Sequence, residues 1–461
     1  MTLMFEPSLR PYQARAVEQT IAYAADNPTG RLLIVIPARG GKTLVGATVV
    51  RRLPFRYGLR ALWIVHREEL LDEAVRHLVA VGIPETAIGV IKHRRTADPD
   101  ARVQVASEAT LAKRDLPPAQ LVVTDESHLD TAPRRRWLRR AYPSAFLLGL
   151  TATPKPPHKR DLGEDYDRMM VVVQPSELVH DGFLAPPVVF APDRRSLPDL
   201  RGLRVRNGDY RAEDLEPVLI RESLLDDQVS EWARLSEGRT TIAFPVTVAH
   251  SMALVARFRA AGVAARHIDG STPATERRDV IEGLRSGRVP VVSSVAVIDA
   301  GFNAHRVKCV LGVRPTKSMV LYIQQSMRCA TPWQSLRPRV LDVAGNVYRF
   351  GYPHADRIWS LRGEESGALV GGAHEALVRR CKSCGAIMQA SSRTCSECYA
   401  AIEIEPSCRA PLHLSVVDPS KRTLEDERRR LIDLATVQKF KDPEGWAEMV
   451  LVKKYGSDDG S

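Results

Sequence analysis

No stretch of this chain reaches the roughly 18 consecutive apolar residues needed to cross a bilayer. The opening residues, Met1 to Glu6, also lack the basic head and apolar run of a secretory leader. A soluble, cytoplasmic protein with no membrane partner is therefore expected. Internal similarity at a period of 20–50 residues is absent, which excludes a solenoid of stacked repeats. No separate carboxylate-rich nuclease motif stands out, which argues against a nuclease. Cysteine is sparse, with seven residues, and four of them fall in two Cys-x-x-Cys pairs. In a reducing compartment that pattern argues for metal rather than a disulfide framework.

What remains is ordinary globular material, 44% hydrophobic and 26% charged. The length of 461 residues favours two large domains plus additions. Net charge is +11 and the isoelectric point about 9.4, which suits contact with a polyanion such as nucleic acid. An Arg-rich codon bias is the alternative source of that charge.

Short apolar strands alternate with amphipathic helices from residue 10 to about 150 and again from about 225 to 345. This alternation predicts parallel sheets covered by helices. One example is Ala61–Val65 followed by a helix whose Leu70, Leu71, Ala74, Val75 and Leu78 share a face. Another is Thr241–Phe244, a helix near His250–Ala260, and a strand over Ala264–Ile268. A Pro- and Arg-rich passage between the halves reads as a connector, and Gly363–Gly372 as a flexible linker. Leu424, Leu431 and Leu434 recur at helical spacing in a charged tail.

Two segments carry the chemistry. Gly40-Gly41-Lys42-Thr43 follows the apolar run Leu32–Ile36, and Asp125-Glu126-Ser127-His128 follows Leu121–Val123. A glycine-rich turn opening a helix presents backbone N–H groups to phosphate. Lys42 is then placed to reach β/γ-phosphates and the Thr43 hydroxyl to bind Mg²⁺. Asp125 is a second Mg²⁺ ligand, through water, and Glu126 a base for attacking water. Open parallel sheets place their ligand residues at strand ends of this kind. Ile36 stands where the full Gly-x-x-x-x-Gly-Lys-Thr pattern has its first glycine.

These motifs, in this order, resemble superfamily 2 helicases of the DEAD/DEAH type, closest in style to the helicase parts of type III restriction enzymes and excision-repair helicases. The resemblance runs from Leu9-Arg10-Pro11-Tyr12-Gln13, similar to the Q-motif, to about residue 360. Val65–Leu70 resembles motif Ia, Ser107–Leu111 motif Ib, Thr151-Ala152-Thr153-Pro154 motif III and Thr241–Phe244 motif IV. His267–Thr272 resembles the block that follows, Asp299–Asn303 motif V, and Gln324-Gln325-Ser326-Met327-Arg328 motif VI. Asp342–Asn346 resembles a strand end of phage and bacterial members.

The resemblance implies two RecA-like parallel-sheet domains in tandem: an α/β fold with a small zinc ribbon and a short helical tail. The expected boundaries are 1–165 and 226–365 for the RecA-like domains, with a connector over 166–225. The ribbon would span 373–412 and the tail 413–461. ATP would be held by Gln13, Gly40, Gly41, Lys42, Thr43, Asp125 and Gly301, with Lys42, Asp125, Glu126 and Arg328 catalytic. DNA is the first partner implied and RNA the second. The strand would be contacted by His66, Arg67, Ser107 and Thr110 in the first half, and by Thr247 and Gly270 in the second. The basic run Arg134-Arg135-Arg136 and Arg139-Arg140 reads as a solvated helix face. A phage or bacterial role in replication, recombination or DNA repair follows from the resemblance alone.

Three motifs depart from the family pattern. In motif I, Arg39 replaces a glycine and Ile36 a small residue; in motif VI, Met327 replaces the glycine and Thr331 the second arginine; in motif V, Asp299-Ala300 precede the glycine. An arginine finger contributes ~10³–10⁵ in rate in related phosphate-transfer enzymes. One arginine is gained at 39 and one lost at 331 around the same phosphates, so Arg39 is a candidate to offset Thr331. The alternative is an ATPase-impaired clamp or scaffold.

Cys381, Cys384, Cys395 and Cys398 have the spacing Cys-x₂-Cys-x₁₀-Cys-x₂-Cys, which fits a closed, structural Zn²⁺ site. Gly385 stands where a knuckle turn needs positive φ. Nucleic acid or a protein partner are both candidate contacts of the ribbon and tail. Cys309, Cys329 and Cys408 lack metal spacing.

Overall fold

The computed structural model describes residues 8–55, 57–66, 70–92, 98, 100–111, 113–129, 132–155, 161–298, 304–362, 366–370, 378–389 and 392–402, with 428, 432, 442, 444 and 445 in the tail. Arg67, the motif V block with Gly301, Cys408 and nearly all of the expected tail lie outside them.

The first lobe is built on seven strands: β1 (Arg31–Val35), β2 (Ala61–Val65), β3 (Ile88–Ile91), β4 (Val103–Ser107), β5 (Leu121–Asp125), β6 (Phe146–Thr151) and β7 (Arg168–Val171). They lie in the order β3-β4-β2-β5-β6-β1-β7, and every pairing is parallel. Helices α1 (Pro11–Asp26), α2 (Lys42–Val50), α3 (Leu71–Ala80), α4 (Glu108–Leu111), α5 (Ala132–Ala141) and α6 (Pro175–His180) complete it. Central strands here are buried on both faces, which is why β2 and β5 read as unbroken apolar runs rather than alternating ones. In α3, Leu71, Ala74 and Leu78 are buried, and Leu70 and Val75 pack against the same core.

The second lobe repeats the architecture with six parallel strands. These are β8 (Val188–Phe190), β11 (Thr241–Ala243), β12 (Ala265–Ile268), β13 (Val291–Ser294), β14 (Cys309–Leu311) and β15 (Arg339–Leu341), in the order β12-β13-β11-β14-β15-β8. Its helices are α7 (Ala212–Leu219), α8 (Glu222–Leu235), α9 (Val248–Ala260), α10 (Ala274–Ser286), α11 (Met319–Ser326) and α12 (Val347–Phe350).

The passage 166–225, read from sequence as a connector, is partly structural. β7 joins the first sheet beside β1 and β8 closes the second beside β15. A hairpin lies between them, β9 (Val205–Arg206) and β10 (Asp209–Tyr210), turning on Asn207-Gly208 with φ of 54° and 79°. Asn-Gly at two positive-φ positions is the preferred chemistry of such a turn.

A short antiparallel pair, β16 (Arg357–Ile358) with β17 (Ala368–Leu369), straps the second lobe to the first. Ser366 Oγ donates to Pro154 O at 2.9 Å, and Lys155 Nζ donates to Ser366 O at 2.9 Å. Asp356 accepts from the backbone N–H and hydroxyl of Ser176 at 2.9 and 2.6 Å. The Cys-rich segment carries β18 (Val378–Arg380) and β19 (Ile387–Gln389). It docks on β8 through an Ala386–Phe190 bridge, and Arg339 Nη2 reaches Glu397 at 2.9 Å. No helix among the described residues is long and apolar enough to cross a membrane.

Candidate nucleotide site

The phosphate loop is shaped by close approaches. Gly41 caps α2 in the left-handed region, φ 80°, where a side chain would be strained. A Cβ there would lie 2.4 Å from Gln13 Nε2. Gln13 is buried and spends both ends of its amide locally: Oε1 accepts from Arg10 N–H at 2.9 Å and Nε2 donates to Gly40 O at 3.0 Å. Tyr12 Oη donates to the same carbonyl at 2.8 Å. The glutamine expected to help hold ATP is thus also the bolt that holds the phosphate loop to α1. Behind the loop, Gly46 lets α2 lie against the sheet, since a Cβ there would meet Leu150 Cδ1 at 2.5 Å and Trp63 Cη2 at 2.8 Å.

Lys42 projects from the first turn of α2 to the end of β5. Its Nζ lies 2.7 Å from Glu126 Oε1 and 3.4 Å from Asp125 Oδ1. Burial disfavours the ammonium, but the two carboxylates outweigh it and the Lys42 pKa rises. Burial likewise opposes the Glu126 carboxylate. Lys42, then His128, still hold its pKa below the ordinary value. Asp125 goes the other way, pushed up by burial. The two carboxylates therefore differ in environment, which suits different roles.

Glu126 has φ of 51°, a conformation rare for a residue with a Cβ, and its N–H donates to Asp125 Oδ1 at 2.9 Å. Thr43 Oγ1 stands 3.4 Å from Asp125 Oδ2. This pair of hard oxygen donors, with Lys42 and the N-terminus of α2 beside it, fits Mg²⁺ and a phosphate chain.

His128 is a further candidate, present in the Asp125–His128 segment but given no role from the sequence. It is 1% exposed, with Nδ1 2.9 Å from Thr151 Oγ1 and 3.4 Å from Glu126 Oε2. Its Nε2 is 3.4 Å from Gln324 Nε2, which itself stands 3.5 Å from Glu126 Oε2. Motif II of the first lobe, motif III and α11 of the second lobe thus meet at one imidazole. The available signal was a histidine two residues beyond the base, at the end of a buried strand.

From the second lobe, the turn after α11 brings Arg328 to the cleft, 9% exposed, and its carbonyl accepts from Arg39 Nη2 at 2.9 Å. Arg39, Lys42, Thr43, Glu126, Arg328 and Thr331 line a single solvent-open cleft with about 980 Å³ of empty space.

The family described as the type III restriction enzyme res subunit matches residues 6–156, and the helicase conserved C-terminal domain matches 222–331. The chain belongs to the superfamily 2 helicases of the restriction-enzyme type. A 51.5 kDa protein of a Lactococcus phage is 28% identical to this helicase-family chain over 81% of the chain and 78% of its own length. A type I restriction enzyme EcoAI endonuclease subunit of Escherichia coli is 28% identical over 51% of the chain. Among solved structures, the type ISP restriction-modification enzyme LlaBIII bound to DNA superposes with a TM-score of 0.54 at 17% identity, over 73% of the chain. The chain spans only 30% of the EcoAI subunit and 28% of LlaBIII.

The nucleic-acid candidates sit at carboxyl ends of strands in both lobes. Val65 and Ser107 are paired at the ends of β2 and β4. His66 lies next to them, with Nδ1 3.6 Å from Glu108 Oε2. Ser107 and Thr110 are buried and their hydroxyls bond each other at 2.8 Å. Thr247 caps α9, accepting from His250 N–H at 3.1 Å. Gly270 is exposed, and a Cβ there would meet nothing within 4 Å. Hydrogen bonds from Ser271, then Thr272, hold the Asp269 carboxyl down at about 2 and order this turn.

The four ribbon sulfurs, Cys381, Cys384, Cys395 and Cys398, lie within 4.8 Å of one another, with two pairs at 3.7 Å. A tetrahedron of Zn–S bonds of ~2.3 Å has edges of roughly 3.8 Å, so the donor set fits zinc. Gly385 has φ of 83°, as the knuckle turn requires. Cys309 and Cys329 are buried apart from this cluster.

Proposed function

We propose that this chain is a nucleic-acid-stimulated ATPase that translocates on, or unwinds, DNA. The observation that carries the reading is the cleft in which Lys42, Thr43 and Glu126 of the first lobe, with Asp125 3.4 Å from Lys42, face Gln324 and Arg328 of the second. Net charge of +11 suits a nucleic-acid partner, and the restriction-enzyme family match puts DNA ahead of RNA in this reading.

In this reading Lys42 and the first N–H groups of α2 bind the β/γ-phosphates. Thr43 and Asp125 hold Mg²⁺, which neutralises charge on the phosphate oxygens when bound. Glu126 orients the attacking water and takes its proton. The water oxygen bonds to the γ-phosphorus as the bond to the bridging oxygen breaks, and that electron pair leaves with ADP. His128 and Gln324 align the Glu126 carboxylate and report its state to the second lobe. Lobe closure on ATP and opening after hydrolysis shift the grip on the strand. His66, Thr247 and Gly270 serve the strand at the surface, while Ser107 and Thr110 support the loop beneath it. The ribbon holds one structural Zn²⁺ through its four thiolates and braces the β8 edge of the second lobe.

The test is ATP hydrolysis with and without single- and double-stranded DNA, and RNA, with Glu126→Gln as control. Stimulation by DNA that vanishes in Glu126→Gln supports the reading. A second reading, a clamp that binds but does not hydrolyse, is favoured by Thr331 in place of the family arginine. Nucleic-acid binding without Glu126-dependent hydrolysis would select it.

A further inference from the structure

We infer that Arg39, from the phosphate loop of the first lobe, supplies the second guanidinium on the γ-phosphate that position 331 of the second lobe lacks. The inference rests on the ATPase reading above and names a further catalytic residue for it.

Three observations converge. Arg39 has φ of 72°, in the left-handed region, where a residue with a Cβ is strained and glycine is not. Strain of this kind persists where a side chain is needed. Second, the guanidinium spans the lobes. Nη2 donates to Arg328 O at 2.9 Å, three residues ahead of Thr331, so it reaches the backbone segment from which a finger arginine would project. Third, Thr331 lines the same cleft with its Oγ1 buried and lacking a hydrogen-bond partner. The backbone there is clamped from behind by Lys308, which is fully buried and donates to the carbonyls of Thr331 and Cys329.

Charge explains why the arginine sits at 39 rather than at both places. Burial, then the Arg328 guanidinium, push Arg39 down to about 9. Burial, with Arg39 nearby, pushes Lys308 down to about 8. Three cations already crowd this wall, and a fourth at 331 would add repulsion without a new direction of approach. A polyanion entering the cleft relieves the crowding. The phosphoryl group in flight carries its charge on equatorial oxygens, which a planar two-pronged donor suits better than a point charge.

The experiment measures nucleotide affinity, DNA-stimulated kcat and the nucleotide-free melting midpoint. The variants are Arg39→Gly, Arg39→Lys, and Arg39→Gly combined with Thr331→Arg. Arg39→Gly is expected to lower kcat by on the order of 10²-fold or more, with nucleotide Kd changed by less than about threefold. Its midpoint should hold or rise, because glycine relaxes the left-handed residue. Arg39→Lys should stay impaired, and Thr331→Arg should recover about tenfold or more in the Arg39→Gly background. A kcat for Arg39→Gly within about twofold of wild type overturns the inference. So does a loss of kcat accompanied by a fall of more than about 5 °C in the midpoint, which marks a structural role. If wild type itself shows no Glu126-dependent hydrolysis, the ATPase reading fails; if it does and Arg39→Gly matches it, only this inference fails.

Discussion

Lys42 Nζ lies 2.7 Å from Glu126 Oε1, so the lysine assigned to phosphate and the buried carboxylate assigned to water form one ion pair. Phosphate binding must draw Lys42 away from Glu126, and the pair opposes it. Glu126→Gln is therefore expected to bind ATP at least as tightly as wild type, by up to about tenfold, because the competing charge is gone. Equilibrium binding of a fluorescent ATP analogue to both proteins checks this. Weaker binding by the variant contradicts the competition.

His128 joins Thr151, Glu126 and Gln324. Its replacement by alanine should misplace the base without emptying the phosphate loop. The expected result is a kcat lower by on the order of 10²-fold with nucleotide affinity nearly unchanged, read from steady-state kinetics and binding together.

Gly46 has no room for a methyl group, with Leu150 and Trp63 both inside 3 Å of the position. Gly46→Ala should cost about 1–3 kcal/mol by overpacking and push α2 from the sheet. Denaturant unfolding measures the loss, and nucleotide affinity should fall with it, since α2 carries Lys42 and Thr43.

Burial pushes the Asp342 carboxyl up to about 7, against backbone hydrogen bonds from Val347 and Asn346. The folded state therefore holds this proton more tightly than the unfolded chain, whose ordinary value is ~3.9. The stabilisation from this group is complete below that value and is lost as pH rises through about 7. Asp342→Asn keeps an acceptor for the Val347 N–H and removes the titration. Melting midpoints at pH 5 to 8 should fall less steeply in the variant; parallel slopes would contradict the assignment.

Cys381, Ala386, Met388 and Cys395 share a core with Phe190 and Leu341 of the second lobe. Elemental analysis should find stoichiometric zinc, and chelation should lower the melting midpoint by several degrees rather than release an independent module. Cys395→Ser, at a sulfur that is 1% exposed, should reproduce the effect.

Much of this arrangement was legible in the residues. Parallel strands buried on both faces announce themselves as apolar runs, so β2, β5 and the residues after them were readable. The Cys-x₂-Cys spacing likewise specified the sulfur cluster and its Gly385 turn. The β7 and β8 strands were not, because Arg168–Val171 and Val188–Phe190 are short and sit in Pro- and Arg-rich sequence. Their pairing depends on strands more than a hundred residues away. Ser107 and Thr110 were read as contacts to the strand, and the structure adds that they are buried with their hydroxyls bonded to each other, a contact that no spacing rule reports. The same holds for Gln13, whose bond to Gly40 exists only once α1 packs on the phosphate loop.

The most direct test of the account is the rate of ATP hydrolysis by the wild-type chain with and without DNA, beside Glu126→Gln. The account predicts a rate that rises about tenfold or more with DNA and falls on the order of 10²-fold or more in the variant. A wild-type rate that DNA leaves unchanged, or that Glu126→Gln retains, would contradict it.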